Sequence, residues 1–364
     1  MSKHISDRNS HESIRDNGGK TTGRVSDGIA GFLPIQKFLT DAVERVDTLV
    51  SGNGGPLGVE TGFHEFDELT SGLRPGELTV IAGRSKSGRT AFVIQTAIHM
   101  AKAGKSSAFF ARNLTGEELA TRMICFDSGV ACCGFSSGRL IDEDWPKLTQ
   151  GIQRLNELPL HVRDGRELEA AEMCLNAKAL AEAVGGLGAV FIDPYPPFSM
   201  LGREVNREEV NRALQLFKSL AEELACPVVV VAPVKIDQET RAEGRTTVAD
   251  IWYCSEVDVV ADMLVLMHRL TPTVEYGLGD TVEVRVVRQR NGPEGTVTLG
   301  FNMSQAALFT IRGEPRGLPE LDGTLKQAQF AQVLRERHRV RSPSSPYLYQ
   351  QTSSGWWIEN KDLL

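Results

Sequence analysis

The fold is decided by residues 78–90, which read Leu-Thr-Val-Ile-Ala-Gly-Arg-Ser-Lys-Ser-Gly-Arg-Thr. An apolar run of strand length leads into a glycine-rich turn, and a helical pattern follows from Ala91 to Ala103. In this context the spacing G-x-x-x-x-G-K-[ST] predicts a phosphate-binding loop. Gly83 and Gly88 let the backbone curve around a phosphate chain, and the helix N-terminus supplies amide donors. The lysine position of this motif is occupied by Arg89.

The loop residues that we expect to contact a nucleotide are contiguous in the chain. They are Gly83, Ser85, Lys86, Ser87, Gly88, Arg89 and Thr90. The Thr90 hydroxyl has the position that holds Mg²⁺ in such loops. A second candidate ligand is Asp193, which ends the apolar run 189–193 about a hundred residues later. A lone aspartate at a strand end is often a turn residue, but together with the loop it predicts a magnesium ligand.

The composition is that of a soluble globular protein. The 364 residues are 41% hydrophobic and 24% charged, and no run of eighteen apolar residues predicts a membrane span. The polar N-terminus does not resemble a signal peptide. Six cysteines without C-x-x-C spacing fit neither a zinc ribbon nor a disulfide framework, which indicates a reducing cytoplasm. Because the net charge is −7, nucleic-acid binding would require a local basic surface.

Alternating patterns predict an α/β fold with a mainly parallel sheet, helices on both faces and a C-terminal β-hairpin. The predicted helices cover 117–127, 142–155 with Asp142 as N-cap, 167–184 and 204–224. The predicted strands cover 107–110, 189–193, 227–232, 263–267, 282–287 and 296–301. Around this domain, residues 51–313, we expect a disordered tail over 1–32, a helix over 33–50 and a tail or small helical module over 314–364. The 33–50 helix either packs on its own domain or docks on a neighbouring subunit.

Several segments together resemble the C-terminal motor domain of DnaB-type replicative helicases. They are Gly58–Phe63, Phe66–Leu73, Gly138–Trp145 and, most specifically, Arg-Gln-Arg-Asn-Gly-Pro-Glu-Gly at residues 288–295. The similarity covers roughly residues 33–312. It implies a RecA-like P-loop NTPase core that binds ATP and Mg²⁺ between the subunits of a hexamer and acts on single-stranded DNA. It also implies that 33–50 is the linker helix. No counterpart of the family's primase-contacting N-terminal domain is evident.

The resemblance assigns catalytic positions, and three of them carry unexpected residues. The loop lysine is Arg89, the catalytic glutamate corresponds to Asn113, and the γ-phosphate-sensing glutamine corresponds to Pro233. The arginine side chain ends in a planar guanidinium, which cannot simply take the place of the compact ammonium group of lysine. Asparagine accepts no proton, and proline has no N–H. Lys86 is either a substitute for the loop lysine or an ordinary solvated side chain.

Other positions of the family pattern are kept. Asp193 and Thr90 remain, Arg290 corresponds to the arginine finger and Arg288 to its basic neighbour. For DNA, the resemblance points to loops in a central channel, where the alternative is an ordinary solvated surface. The candidates are Arg203, Arg207, Lys235, Arg241 and Arg245.

Two functions follow from this pattern. One is a DnaB-like ATP-dependent helicase or translocase in DNA replication, with impaired hydrolysis. The alternative is a catalytically degenerate nucleotide-binding accessory or assembly factor. A RecA-core ATPase of the KaiC or RadA kind shares the lead-in, but the run at 288–295 argues against it.

Overall fold

The computed structural model describes residues 58–165, 168–196, 207–234, 245–270, 280–311, 347–352 and 355–360, with residues 35, 36, 38–40 and 43. The chain divides into two compact units, residues 1–54 and 55–364. In the first unit, the described residues are helical and Thr40 Oγ1 donates to the Gln36 carbonyl at 3.0 Å. The predicted tail and most of the predicted 33–50 helix lie outside the described residues.

The second unit contains a nine-stranded sheet. Its strands are β1 Leu78–Gly83, β2 Ser107–Ala111, β3 Leu160–Asp164, β4 Ala189–Asp193, β5 Val228–Pro233, β6 Met263–Arg269, β7 Asp280–Gln289, β8 Gly295–Asn302 and β9 Ala307–Thr310. The order is β3-β2-β4-β5-β1-β6-β7-β8-β9. The pairs from β3 to β6 are parallel and those from β6 to β9 are antiparallel. The predicted parallel sheet and the β7–β8 hairpin are thus confirmed.

Helices cover both faces of this sheet. They are α1 His64–Thr70, α2 Arg89–Lys102, α3 Gly116–Ser128, α4 Cys132–Ser137, α5 Asp144–Asn156, α6 Ala170–Val184, α7 Arg207–Leu224 and α8 Cys254–Val260. One buried apolar layer lies between the sheet and α6, α7 and α8. The other lies between the sheet and α1, α2 and α3. Successive residues of the buried strands alternate between the two layers, as the pleat requires.

Some predicted boundaries differ from the structure. Asp142 is not the N-cap of α5, because a turn closed by the Asp144 N–H and the Ile141 carbonyl at 3.0 Å precedes a helix that starts at Asp144. Helix α6 begins at Ala170, not at 167, and α7 is described from Arg207. A further antiparallel pair, β10 Tyr347–Thr352 and β11 Gly355–Asn360, lies in the predicted C-terminal tail. Within the described part of the chain, no helix is long and apolar enough to span a membrane.

Candidate active site

The phosphate loop connects the buried strand β1 to helix α2. Gly88 caps α2 with φ of +93°, a backbone conformation that favours glycine. At Gly83 an added Cβ would lie 2.5 Å from the Met267 carbonyl oxygen and 2.7 Å from Ser87 Oγ, so only glycine fits. Ser87 Oγ is buried and has no hydrogen-bond partner within the described residues. The tight cradle, the unpartnered hydroxyl and the unpaired amides of the first helical turn fit a bound phosphate chain.

Arg89 is the first residue of α2, and its side chain turns into the protein. It is 9% exposed, and its guanidinium donates to the carbonyl of Ala232 near the end of β5. Burial lowers the pKa of Arg89, and the charge of Asp193 opposes this shift. The loop cation is therefore bound to the neighbouring strand in this structure. By contrast, Lys86 is exposed, at a backbone φ of +64°.

Thr90 and Asp193, the two candidate magnesium ligands, lie close together beside the loop. Asp193 is the buried last residue of β4, and the Thr90 side chain interacts with its carboxylate. Burial raises the pKa of Asp193, whereas the Thr90 bond and the charges of Arg89 and Arg122 lower it. Within the described ranges, no three His, Cys, Asp or Glu side chains could together hold a metal. One carboxylate and one hydroxyl nonetheless fit Mg²⁺, which keeps waters and takes phosphate oxygens as further ligands.

The two positions expected to act on the γ-phosphate lie at the same edge of the sheet. Asn113 is exposed in the turn after β2, and Pro233 ends β5 directly beside Gly83 of β1. The parallel strands end together at this carboxyl edge, and the sheet brings the loop, Asn113, Pro233 and Asp193 into one region. The sequence did not identify Arg122 of α3, whose charge lowers the pKa of Asp193 against the effect of burial. A single arginine within a helix belongs to no motif that would predict such a role.

The expected arginine finger lies at the opposite, amino edge of the parallel strands. Arg290 Nη1 is 3.2 Å from Asp262 Oδ1, and the Arg290 N–H donates to the Asp262 carbonyl at 3.0 Å. Asp262 in turn accepts from the N–H of Leu78, the first residue of β1, at 2.8 Å. Since β1 has six residues, the finger and the loop are separated by about 17 Å of strand. Arg290 therefore cannot reach the phosphate loop of its own chain.

Asp262 holds the side chain and backbone of Arg290, and the sequence did not identify it. Its carboxylate is 2% exposed and also contacts Lys218 Nζ at 2.9 Å, whereas the Arg290 side chain is 53% exposed. Arg288 is placed nearby on β7 and pairs with Asp258 at 2.9 Å. A single aspartate before an apolar strand is too common a pattern to predict this role.

Amide side chains of the 288–295 run hold the turn after β7 in place. Asn291 Nδ2 donates to Glu77 Oε1 at 2.8 Å, and Arg74 donates to the Asn291 carbonyl at 2.6 Å. Gln289 Nε2 donates to the carbonyl of Leu69 at 3.3 Å. The turn is thereby fastened to α1 and to the segment before β1, which orients Arg290 outward.

Two of the five predicted DNA-binding residues are described. Arg207 is exposed at the start of α7, and its charge opposes the rise that burial causes in the pKa of Tyr253. Arg245 pairs with Glu283 at 3.1 Å, so part of its charge is compensated. The other three, Arg203, Lys235 and Arg241, lie outside the described residues.

The sequence of the chain is similar to that of replicative helicases. A family model described as the DnaB-like helicase C terminal domain matches residues 58–310. Replicative DNA helicase DnaB of Geobacillus stearothermophilus is 28% identical over 278 residues, which cover 74% of this chain and 60% of that protein. Replicative DNA helicase DnaC of Bacillus subtilis (strain 168) is 29% identical over 280 residues, which cover 75% of this chain and 61% of that protein. The chain thus spans about 60% of the length of these curated relatives.

Two solved structures share the fold at 21% sequence identity. One, described as an ATPase domain, superposes with a TM-score of 0.66 over 75% of this chain and 98% of its own. The other is a DnaB-like replicative helicase, solved in a study of its interactions with primase. It superposes with a TM-score of 0.65 over 74% of this chain and 65% of its own. The expected RecA-like fold is therefore confirmed. Because the family model matches more than half of its length, this chain belongs to the DnaB-like helicase C-terminal domain family.

Proposed function

We propose that this protein is the motor core of a DnaB-like, ATP-dependent DNA translocase that acts in DNA replication and hydrolyses ATP slowly. The observation that carries the proposal is the placement of Arg290. It is exposed and held by Asp262 at one edge of the sheet, while the phosphate loop lies at the other edge. An ATP molecule in the loop would be completed by Arg290 of another subunit, and the family resemblance suggests six subunits.

The nucleotide would be held by the loop from Gly83 to Thr90. Backbone amides at the start of α2 would bind its phosphates, and the Thr90 hydroxyl with the Asp193 carboxylate would hold Mg²⁺. When bound, Mg²⁺ offsets the charge of the terminal phosphates. Arg290 from the neighbour would contact the γ-phosphate, and Arg288 would lie beside it.

Slow hydrolysis follows from the residues at three positions. Arg89 must leave the Ala232 carbonyl before it can contact a phosphate. Asn113 can orient a water molecule but cannot accept its proton, and loss of a general base typically costs about 10²–10⁴ in rate. Pro233 provides neither a side-chain donor nor a backbone N–H.

Single-stranded DNA is the proposed substrate, and the cytoplasm the proposed location. Arg207 and Arg245 lie on segments that begin or end at the carboxyl edge of the sheet, and the candidates Arg203, Lys235 and Arg241 are close to them in sequence. Contacts of this kind read the DNA backbone, so binding should weaken steeply as salt increases.

The test is ATP hydrolysis by the purified full chain, with and without single-stranded DNA. We expect slow turnover that DNA stimulates and that Thr90→Ala abolishes, because that variant loses the hydroxyl beside Asp193. Turnover no higher than that of Thr90→Ala would contradict the proposal.

A second function is favoured by the buried contact of Arg89 with Ala232. If that contact persists when nucleotide binds, the protein is a nucleotide-binding accessory or assembly factor that does not translocate. It would then bind a fluorescent ATP analogue without turnover and without a response to DNA. Robust hydrolysis would exclude it.

A further inference from the structure

Asp262 directly precedes β6 at the amino edge of the sheet and connects two neighbouring strands. Its backbone N–H donates to the carbonyl of Leu78, the first residue of β1, at 2.9 Å. Its carbonyl accepts from the N–H of Arg290 at 3.0 Å. The carboxylate is 2% exposed. Because the backbone is held on both sides and the side chain is buried, this carboxylate has a fixed position.

The two oxygens of the Asp262 carboxylate have different partners. Oδ2 accepts from the N–H of Leu78 at 2.8 Å and lies 2.9 Å from Lys218 Nζ. Oδ1 lies 3.2 Å from Arg290 Nη1. A buried charge is costly unless it is paired and hydrogen-bonded. The partners of Oδ2 meet this requirement, and Oδ1 is turned towards the arginine.

Lys218 is itself anchored to its surroundings. Its Nζ donates to the carbonyl of Gly76 at 2.8 Å and lies 3.1 Å from Glu222 Oε1, one turn further along α7. The lysine thus connects α7 and the segment before β1 with Asp262. The carboxylate therefore keeps a cationic partner when the Arg290 side chain binds another anion.

The Arg290 side chain is held by a buried group and is open to solvent at the same time. A guanidinium has five N–H donors in a planar fork. The contact with Asp262 uses Nη1, and 53% of the side chain is exposed. Arg288 pairs instead with Asp258, which is 59% exposed, and exposed pairs contribute little. Arg290 is therefore the more firmly oriented of the two arginines.

We propose that Asp262, anchored by Lys218, is a positioning residue for ATP hydrolysis. It orients the guanidinium of Arg290 so that the donors not used by Oδ1 are presented to the terminal phosphate of an ATP bound to another subunit. The inference rests on the proposed function, in which Arg290 completes that site. A donor oriented in advance needs no reordering in the transition state, so Asp262 acts on the rate of the chemical step more than on ATP binding.

The first test is a kinetic cycle on the full chain with Asp262→Asn, Arg290→Ala and the double variant. Asparagine has a similar shape and keeps an oxygen for the Leu78 N–H, but it has no charge to hold the guanidinium. Asp262→Asn should lower kcat about 5–50-fold and change KM for ATP less than about twofold. Added to Arg290→Ala, it should lower kcat no further. Glu222→Gln removes an exposed carboxylate beside Lys218 and should leave kcat unchanged. Radiolabelled ATP makes slow turnover measurable.

The second test measures the reactivity of Arg290 without nucleotide. Phenylglyoxal modifies accessible guanidinium groups, and the modified residue resists trypsin, so the tryptic peptide 291–312 is replaced by 289–312. Asp262→Asn removes the paired charge and should speed the modification of Arg290 at least about threefold. Glu222→Gln is again the matched control and should leave this rate unchanged.

The proposal is overturned if Asp262→Asn lowers kcat as much in the Arg290→Ala background as in the wild type, because its role is then structural. It is also overturned if Arg290→Ala lowers kcat and Asp262→Asn does not, or if the reactivity of Arg290 does not rise. Failure of the proposed function differs, since Arg290→Ala then leaves hydrolysis unchanged or turnover does not exceed that of Thr90→Ala. In that case the modification rate alone decides whether Asp262 orients the arginine.

Discussion

At the scale of single residues, Arg89 has the largest effect on the chemistry we expect. Its positive charge matches that of the lysine in the loop motif, but its longer side chain ends in a planar guanidinium that donates to the Ala232 carbonyl. Sequence alone predicted that arginine cannot simply replace lysine here. It could not predict the bonding partner, because β5 lies more than a hundred residues further along the chain.

The first prediction is that the site can be repaired by changing two residues together. Asn113→Glu restores a general base, and Arg89→Lys frees a compact cation for the phosphates. The double variant should hydrolyse ATP at least about tenfold faster, roughly 1.4 kcal/mol of barrier. Each single change should do little, because a base without a positioned phosphate has nothing to act on. Steady-state phosphate release measures the rates.

Arg290→Ala in the double-variant background is the control. It should remove the gain, since such a finger contributes about 10³–10⁵ in rate where it operates. If the double variant stays folded and oligomeric without any increase in rate, the impaired hydrolysis has causes beyond these two residues, and the accessory function is favoured.

The second prediction concerns the pH dependence of Cys132. Cys132 is the half-buried first residue of α4, and its interaction with Cys125 together with the charge of Arg122 lowers its pKa to about 7, so alkylation of this thiol should reach half its maximal rate near pH 7. Arg122→Gln removes a positive charge that stabilises the thiolate, so the pKa should rise and the midpoint should move to higher pH. Rates of iodoacetamide modification at Cys132 between pH 5 and 10 measure the midpoint. Lys147→Gln, on the exposed surface of α5, should leave it unchanged.

At the scale of helices and strands, the buried apolar strands were predictable, whereas two short elements with few buried residues were missed. Strands β1, β4 and β5 are continuous apolar runs of strand length, which periodicity identifies. Strand β3 was missed because Leu160–Asp164 is a largely exposed edge strand with a polar composition. Helix α4 was missed because its six residues include glycine and two serines, which are weak helix formers.

The third prediction tests how the helices on one face are joined. The Asp127 carboxylate of α3 is fully buried and contacts Lys102 Nζ of α2 at 2.7 Å and Arg154 Nε of α5 at 2.8 Å. Asp127→Ala removes the shared acceptor and should lower the free energy of unfolding by about 2 kcal/mol. Urea unfolding gives the value. Asp142→Ala, at an exposed turn, should change it by less than about 0.5 kcal/mol; a similar loss in both would refute the role of Asp127.

At the scale of the whole molecule, the sequence predicted a set of candidate site residues but not how the fold of one chain separates them. Thr90 and Asp193 were predicted together, and they are in contact. Arg290 was predicted with them, yet it lies a full strand length away. The spacing of residues along the chain does not predict at which edge of the sheet the turn with Arg290 lies. The turn lies at the amino edge because β7 runs antiparallel beside β6.

The fourth prediction concerns assembly through the first unit. Ile35, Phe38, Leu39 and Val43 are 51–62% exposed, an apolar set at helical spacing. If this segment docks on a neighbouring subunit, deleting residues 1–50 should convert an oligomer into monomers. Multi-angle light scattering gives the mass.

A milder variant and a matched control accompany the deletion. Phe38→Ser with Leu39→Ser should also reduce the mass, whereas Gln36→Ser, an exposed polar position on the same segment, should not. An unchanged mass after the deletion would mean that the segment does not hold subunits together.

If Arg290 completes the nucleotide site of another subunit, as proposed, its placement opposite the loop also determines a stoichiometry. A contact that joins one edge of a subunit to the other edge of the next is head-to-tail, and such contacts either close on themselves or leave two free ends. In a closed assembly every subunit has a complete nucleotide site, whereas in an open one the terminal loop has no partner arginine. The number of tightly bound nucleotides per assembly would therefore equal the number of subunits if it is closed and fall one short if it is open.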